Sequence, residues 1–531
     1  MTPLPRALTP LRLLCAVLAL SGLASCRASG PVSELPATTI LPQRAGAGAG
    51  PTTDLGEPPV VAAVGGIAKV DLIVAKDFLT GYPTFVYGGL YNVAPTIKIK
   101  PGDTIVVNLK NALPNAVQPG TMQPDAMGPQ YVGMPLDVNL HFHGLTVSPR
   151  KPGDDVLTML AMPGEKLHYV VHVPPNQEPG LYWYHTHVHG ETNYQVGEGG
   201  MSGAIVVEGL ERHLPRLAGM KERVLMLRDT SAGSAGPADV PQVRDPNPCS
   251  PNPGIVTLNT ALRPVIRIAP GEQQFFRLVN ASGHKTLKLA VDGEKLQLVA
   301  VDGYALDSYP GTPPTRMDSS IVVPPAGRAE FVVTGPASGH GTFRTLCYDS
   351  GFNGDSNPNV VLAHLEAPAG GGAHRGNPAG PLTVGAPVPE NAYTTPLPPI
   401  AAKRVVVFSE GPHHFFINGK TYRPGAPPMF VVHVGTVEEW HILNVTGEVH
   451  DFHIHQVHFF VKSINGVPVV HPYWSDSFVI PHRAAENVHS KPGSIVAIMD
   501  FRDPIIKGTF LFHCHILDHE DHGMMAKIQA I

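Results

Sequence analysis

The sequence predicts an all-β protein of several domains, and three observations carry that reading. Glycine (55) and proline (56) are abundant in 531 residues, which implies many turns and short elements. Short runs alternate apolar and polar residues while helical periodicity is nearly absent; strands are expected at Leu167–Val173, Ala204–Val207, Ala329–Val333, Arg404–Phe408 and Ser494–Asp500. A long internal repeat points to duplicated domains. The length suits three or four domains. Apolar residues make up 43% and charged residues 15%, enough for packed cores and against wholesale disorder. The net charge of −5 argues against a nucleic-acid partner. Five cysteines exclude a disulfide-dense scaffold, whereas 27 histidines need an explanation.

The N-terminus reads as an address. Arg6 and Arg12 precede the apolar run Leu13–Leu20, too short for a comfortable membrane span. Leu23-Ala24-Ser25-Cys26 follows and resembles a bacterial lipobox, with cleavage before Cys26 and lipid on its thiol. Ordinary cleavage near Ala24 or Ala28 is the alternative. Without a twin arginine, export by the general secretory route is expected. Residues 1–25 are thus the signal and 26–60, rich in Gly, Ala, Pro and Thr, a flexible tether. Such a chain reaches roughly 30 Å. The protein is expected outside the cytoplasm, periplasmic or at the cell surface, and lipid-anchored to a bacterial membrane.

The repeat comes next. Pro95-Thr96-Ile97-Lys98-Ile99-Lys100-Pro101-Gly102 leads to Leu109 and Asn111; Pro264-Val265-Ile266-Arg267-Ile268-Ala269-Pro270-Gly271 leads to Leu278 and Asn280. The third copy runs from Pro428 through Val434-Gly435 to Leu443 and Asn444. The Pro-to-Asn interval is the same in each. Each copy reads as strand, tight glycine turn and strand. A period this long means duplicated domains, here β-sandwiches or small barrels. We place them at 61–212, 213–372 and 400–531, with a Gly/Pro-rich linker at 373–399.

The histidines fall in four clusters: His141-Phe142-His143-Gly144, His185-Thr186-His187, His450-Asp451-Phe452-His453-Ile454-His455, and His513-Cys514-His515 followed by His519 and Met524. In a strand, residues two apart share a face, so each H-x-H offers two imidazoles to one site. Imidazole suits copper, zinc and iron. His450, Cys514 and His519 with a weak axial Met524 suit blue copper. In an extended H-C-H, Cys514 faces away from His513 and His515, so it can serve one metal while its neighbours serve others.

With these motifs the sequence resembles the multicopper oxidases, which include laccases and bacterial copper-efflux oxidases. The resemblance covers nearly all of the chain beyond the tether. It implies three consecutive cupredoxin-like Greek-key domains and four copper ions: one type 1, one type 2 and a type 3 pair. By motif position, type 2 copper takes His141 and His453. The type 3 pair takes His143, His185, His187, His455, His513 and His515. The second repeat has only His284 after Asn280, so the middle domain reads as structural. Three positions depart from the common pattern: Asp451 stands for Pro, Gln456 for Gly and Phe142 for Trp. None removes a ligand, and Asp451 adjoins a type 1 ligand.

The resemblance also implies the reaction: single electrons enter at the type 1 site, pass through Cys514 to His513 and His515, and reduce dioxygen to two waters. A carboxylate relay must supply protons. Glu520 matches an acidic position of bacterial members, and either Asp154 or Asp155 matches another. Asp476 resembles an acidic position on the substrate side; a surface aspartate is the alternative. His189, His458 and His522 are expected beside the ligands or at the surface; His168, His172, His413 and His414 read as ordinary residues. Cys249 and Cys347 form a bridge or remain two thiols, and export favours the bridge. Met122, Met127, Met134, Met159 and Met162 read as loop packing.

Two substrate classes compete. Phenols and aromatic amines are favoured because no Met-rich insert interrupts residues 400–531. Cu(I) or Fe(II) is the second, since Asp451 and Asp476 could guide a cation. A non-catalytic interaction module would have lost ligands, and a copper nitrite reductase would lack the third domain and type 3 pair.

Overall fold

In the computed structural model, residues 53–114, 136–230, 249, 255–369, 382, 384–385, 396–412 and 414–531 are described. The signal, Cys15, Cys26, most of the tether, Met122, Met127, Met134 and His413 lie outside the described residues.

Six sheets form three face-to-face pairs. The first pair holds strands between Val60 and Val207, the second those between Lys221 and Glu366, the third those between Ile400 and Ala530. Each pair encloses its own apolar core, around Ile97, Leu109 and Ile205, around Ile266, Leu278 and Phe331, and around Trp440, Phe452 and Phe512. The fold is all-β, with three cupredoxin-like sandwiches in series. The only α-helices among the described residues are Leu210–His213 and Leu517–Asp521. None is long and apolar enough to cross a membrane. The five expected strands form as Lys166–His172, Ser202–Val207, Arg328–Thr334, Ile400–Gly411 and Gly493–Phe501.

The repeat builds the crossing between sheets. Its first strand, Thr96–Ile99, Val265–Arg267 or Phe430–Val432, pairs in parallel with the last strand of its sandwich. Its second strand, Thr104–Asn111, Gln273–Asn280 or Thr436–Asn444, pairs in parallel in the other sheet. The turn glycines Gly102, Gly271 and Gly435 have φ of 91°, 73° and 87°, where a side chain would be strained. The closing asparagines are fully buried. Each accepts the N–H two residues on, at Leu113, Ser282 and Thr446. Each amide donates to backbone carbonyls, which satisfies the chain where it leaves the strand.

One boundary shifts. Residues 53–60, expected in the tether, are docked. Leu55 is buried in the middle core, its N–H bonds Val265 O at 2.8 Å, and Asp54 reaches Arg267 at 2.8 Å. An apolar anchor between polar neighbours gives this stretch a sheet edge to join, which composition did not reveal. In the linker, Leu382 packs with Leu210, Leu214 and Phe275. Cys249 and Cys347 are disulfide-bonded, with Cα atoms 5.4 Å apart.

Candidate metal centre

Strands place the four histidine clusters. His141–His143 pairs antiparallel with Gly180–His185, setting His141 opposite His185. His450–Ile454 pairs with Gly508–Cys514, setting His453 opposite His513. The first and third sandwiches thus turn eight imidazoles into one buried space, each at most 1% exposed. Desolvation favours the neutral form at His141, His143, His455 and His515, and pushes His185 and His187 down to about 3 and His453 to about 4. Neutral rings keep a lone pair for a metal.

The rings divide into outward anchors and inward nitrogens. His141 Nδ1 lies 2.9 Å from Asp154 Oδ2, and His453 Nδ1 lies 2.8 Å from Asp476 O. Their Nε2 atoms are buried without a hydrogen-bond partner among the described residues. His185 Nδ1 meets Thr186 O at 2.8 Å, leaving Nε2 facing His143 Nδ1 at 3.4 Å. His513 Nδ1 meets Cys514 O at 3.0 Å, leaving Nε2 3.2 Å from both His187 Nε2 and His455 Nε2. Neither nitrogen of His515 has a hydrogen-bond partner among the described residues, and its ring centroid is 5.1 Å from that of His143. Crowded neutral nitrogens with orphaned lone pairs fit bound metal and fit poorly with anything else.

On the other face of the H-C-H strand, Cys514 Sγ lies 3.6 Å from His450 Nδ1 and from His519 Nδ1. The helical turn Leu517–Asp521 curls His519 back to the sulfur. Met524 is fully buried in the same core, and its carbonyl accepts the Cys514 N–H at 3.0 Å. Without metal, burial pushes the Cys514 thiol well up, with help from Asp451 and Glu448 and against two backbone N–H groups. A soft thiolate with two imidazoles and a thioether suits copper.

The carboxylates sort differently from one another. Asp154 is buried against His141 and accepts Phe142 N–H at 2.9 Å. Burial raises it to about 7. Asp155 instead shapes a local turn, accepting from Leu157 N and Thr158 N, and does not join the cluster. Glu520 lies 3.2 Å from His513 Nδ1 and 3.5 Å from His187 Nε2, and accepts the Thr192 hydroxyl at 3.0 Å. Burial opposes its charge, but His187 and His513 hold it well below the usual carboxylate range.

Asp476 is a correction. It is wholly buried beside the eight-histidine cluster, not on a substrate side. Its Oδ1 lies 3.2 Å from His143 Nε2, and Arg328 of the middle sandwich clamps both its oxygens. Asp451 is also buried, at 1% exposure, so neither aspartate can guide a cation from solvent. Gly144 lies under this pair: a Cβ there would meet Arg328 Nη2 at 2.5 Å and Asp476 Oδ2 at 2.7 Å.

Gln456 has φ of 57°, the left-handed region that explains glycine at this position in the resembling family, and its amide donates to Asp154 Oδ2. Phe142 is buried edge-on to Tyr169. His458 lies 3.2 Å from the Tyr304 hydroxyl and 3.4 Å from Asp476 Oδ2, behind the ligands. His189 bonds Tyr422 at 3.2 Å, and His522 is partly exposed. Sequence reading missed Arg328, Thr192 and Glu448. Glu448 Oε1 lies 3.4 Å from His519 Nε2. Its place two residues before His450 was the one available signal.

Thiolate on one face of a strand and imidazoles on the other define a copper oxidoreductase built on cupredoxin-like sandwiches. Family profiles described as multicopper oxidase match residues 133–212, 182–365 and 395–530, together more than half of the chain, and the chain belongs to that family. It is an oxidase that uses oxygen and carries four copper ions in type 1, type 2 and type 3 sites. It is 24% identical over 484 residues to a laccase of Bacillus subtilis, covering 83% of this chain and 88% of that one. It is 24% identical to a Staphylococcus aureus multicopper oxidase, covering 82% of each. Its fold resembles a Campylobacter jejuni multicopper oxidase described as a metallo-oxidase, with TM-score 0.67, 21% identity, and 91% and 96% of the two chains covered. It also resembles a laccase-like multicopper oxidase of Ochrobactrum sp. with activity towards lignin model compounds, with TM-score 0.66, 20% identity, and 90% and 100% covered.

Proposed function

We propose that this oxidase couples four one-electron oxidations of phenols or aromatic amines to the reduction of dioxygen to two waters. The observation that carries the coupling is Cys514, whose sulfur faces His450 and His519 while its chain neighbours face the eight-histidine cluster. His450, Cys514, His519 and Met524 hold type 1 copper. His141 and His453, whose Nδ1 atoms are anchored outward and whose Nε2 atoms are left free for metal, hold type 2. His143, His185 and His515 hold one type 3 ion, and His187, His455 and His513 the other. Copper there supplies one-electron acceptance at the first site and four-electron dioxygen reduction at the cluster.

The chain supplies the path and the protons. Cys514 and the backbone to His513 and His515 form the covalent link between sites. Asp154, near neutral pKa, and Glu520, hydrogen-bonded to Thr192, are placed to hand protons inward.

For the donor, the Phe415 ring stacks on His519 at 4.1 Å and 21°, an aromatic rim at the type 1 edge. Glu448, buried at 2% exposure behind His519, steadies that ring and does not itself meet the donor. A second reading is oxidation of Fe(II) or Cu(I), supported by the fold's likeness to the Campylobacter jejuni metallo-oxidase. Steady-state rates on a phenol, Fe(II) and Cu(I) separate the two; a much higher efficiency on a metal ion overturns the first. Cys514→Ser is expected to abolish blue colour and turnover while cluster copper remains, and retained turnover would refute Cys514 as the electron path.

Its place is outside the cytoplasm, anchored by lipid on Cys26. The lipobox-like run and the Cys249–Cys347 bridge, which suits an oxidising compartment, support this. Cys26→Ala is expected to release the protein from membranes; unchanged membrane retention counts against the anchor.

A further inference from the structure

Asp451 stands where the resembling family commonly has proline, and proline has no backbone N–H. In this chain that N–H is present and aimed at sulfur: Asp451 N lies 3.4 Å from Cys514 Sγ. The Asp451 carbonyl accepts the His515 N–H at 2.8 Å, so both backbone groups of the residue are committed to the H-C-H segment. The contact is dry, since Asp451 is 1% exposed and Cys514 fully buried. Burial removes the competing water that would weaken such a bond. A donor on a thiolate draws electron density from it. It therefore favours the state of the site that holds one more electron, and hydrogen bonding around the cysteine sulfur tunes the potential of blue-copper centres.

We infer that the Asp451 backbone N–H sets the type 1 reduction potential of this oxidase, raising it above that of the same site with proline and so widening the range of aromatic donors within reach. The inference rests on the type 1 reading of His450, Cys514, His519 and Met524. It assigns the effect to the main chain and not to the carboxyl group. That distinction chooses the variants: Asp451→Asn keeps the N–H and removes the acid, while Asp451→Pro removes both.

The test is a redox titration of the copper-loaded full chain, followed in the thiolate-to-copper absorption band. Asp451→Pro is expected to lie below Asp451→Asn. The equilibrium constant for reduction by a fixed one-electron mediator should fall several-fold, up to about tenfold, or 59 mV. Equal potentials in the two variants overturn the inference. Where Asp451→Pro does not load copper, a second measurement decides. In protein carrying ¹⁵N only in aspartate, pulsed EPR of the oxidised type 1 site is expected to show a ¹⁵N coupling that Asp451→Asn abolishes. No such coupling in the unsubstituted protein overturns it equally. Copper-loaded wild-type protein without a thiolate band would instead defeat the type 1 reading, so the two failures are distinct.

Discussion

Among single residues, the acids near the copper sites differ in state because their neighbours differ. Burial raises both, but His187 and His513 hold Glu520 well below the usual carboxylate range, whereas at Asp154 burial outweighs the hydrogen bonds from Phe142 and Gln456 and lifts it to about 7. Glu520→Gln keeps the shape and removes the proton exchange. It is expected to slow turnover by about 10²-fold or more while the blue band is unchanged, read by steady-state kinetics beside absorption spectra. Glu191 gives a pH prediction. Burial, then Asp137, raises it from 4.5 to about 8. The folded chain therefore keeps a proton that the unfolded chain releases at lower pH, and stability falls as pH rises between those two values. Glu191→Gln removes that dependence. Thermal unfolding should show the variant more stable than wild type at pH 9 and level with it near pH 4.

For the secondary-structure elements, the repeat explains itself locally. Asn280, itself fully buried, gives its amide to Lys285, Val323 and Pro324 carbonyls and accepts the Ser282 N–H. Asn280→Ala leaves those groups unmet and is expected to cost about 1–3 kcal/mol in chemical denaturation. Copper content should not change, because the middle sandwich contributes no proposed ligand. The H-x-H strands act at the same scale. Alternation brings two rings to one face, and pairing His141 opposite His185 and His453 opposite His513 doubles each pair.

Across the whole molecule, the middle sandwich is more than a spacer. Arg328 enters from it, fully buried, to bind Asp476 of the third sandwich, which touches His143 of the first. Removing the cation leaves a buried carboxylate unpaired. Arg328→Met is therefore expected to destabilise the protein by about 3–5 kcal/mol, visible as a lower unfolding temperature.

How much was legible beforehand follows from the range of each interaction. The β class, the repeat and the four histidine clusters depend on neighbours within a few residues: alternation, a glycine turn, H-x-H spacing. Those are properties of the chain itself, and the sequence alone determined them. Other features depend on residues far apart in sequence. Asp154 and Asp155 are adjacent and chemically alike, yet only the fold turns one towards His141 and the other into a turn. Asp476 moved from the substrate side to the cluster because an arginine 148 residues away waits there. The Asp451 N–H found sulfur because strand pairing laid Phe452 opposite Cys514, 63 residues on from Asp451. Local spacing names the ligands, but which polar group each ligand leans on is decided when distant strands bury them together and every donor must find its acceptor.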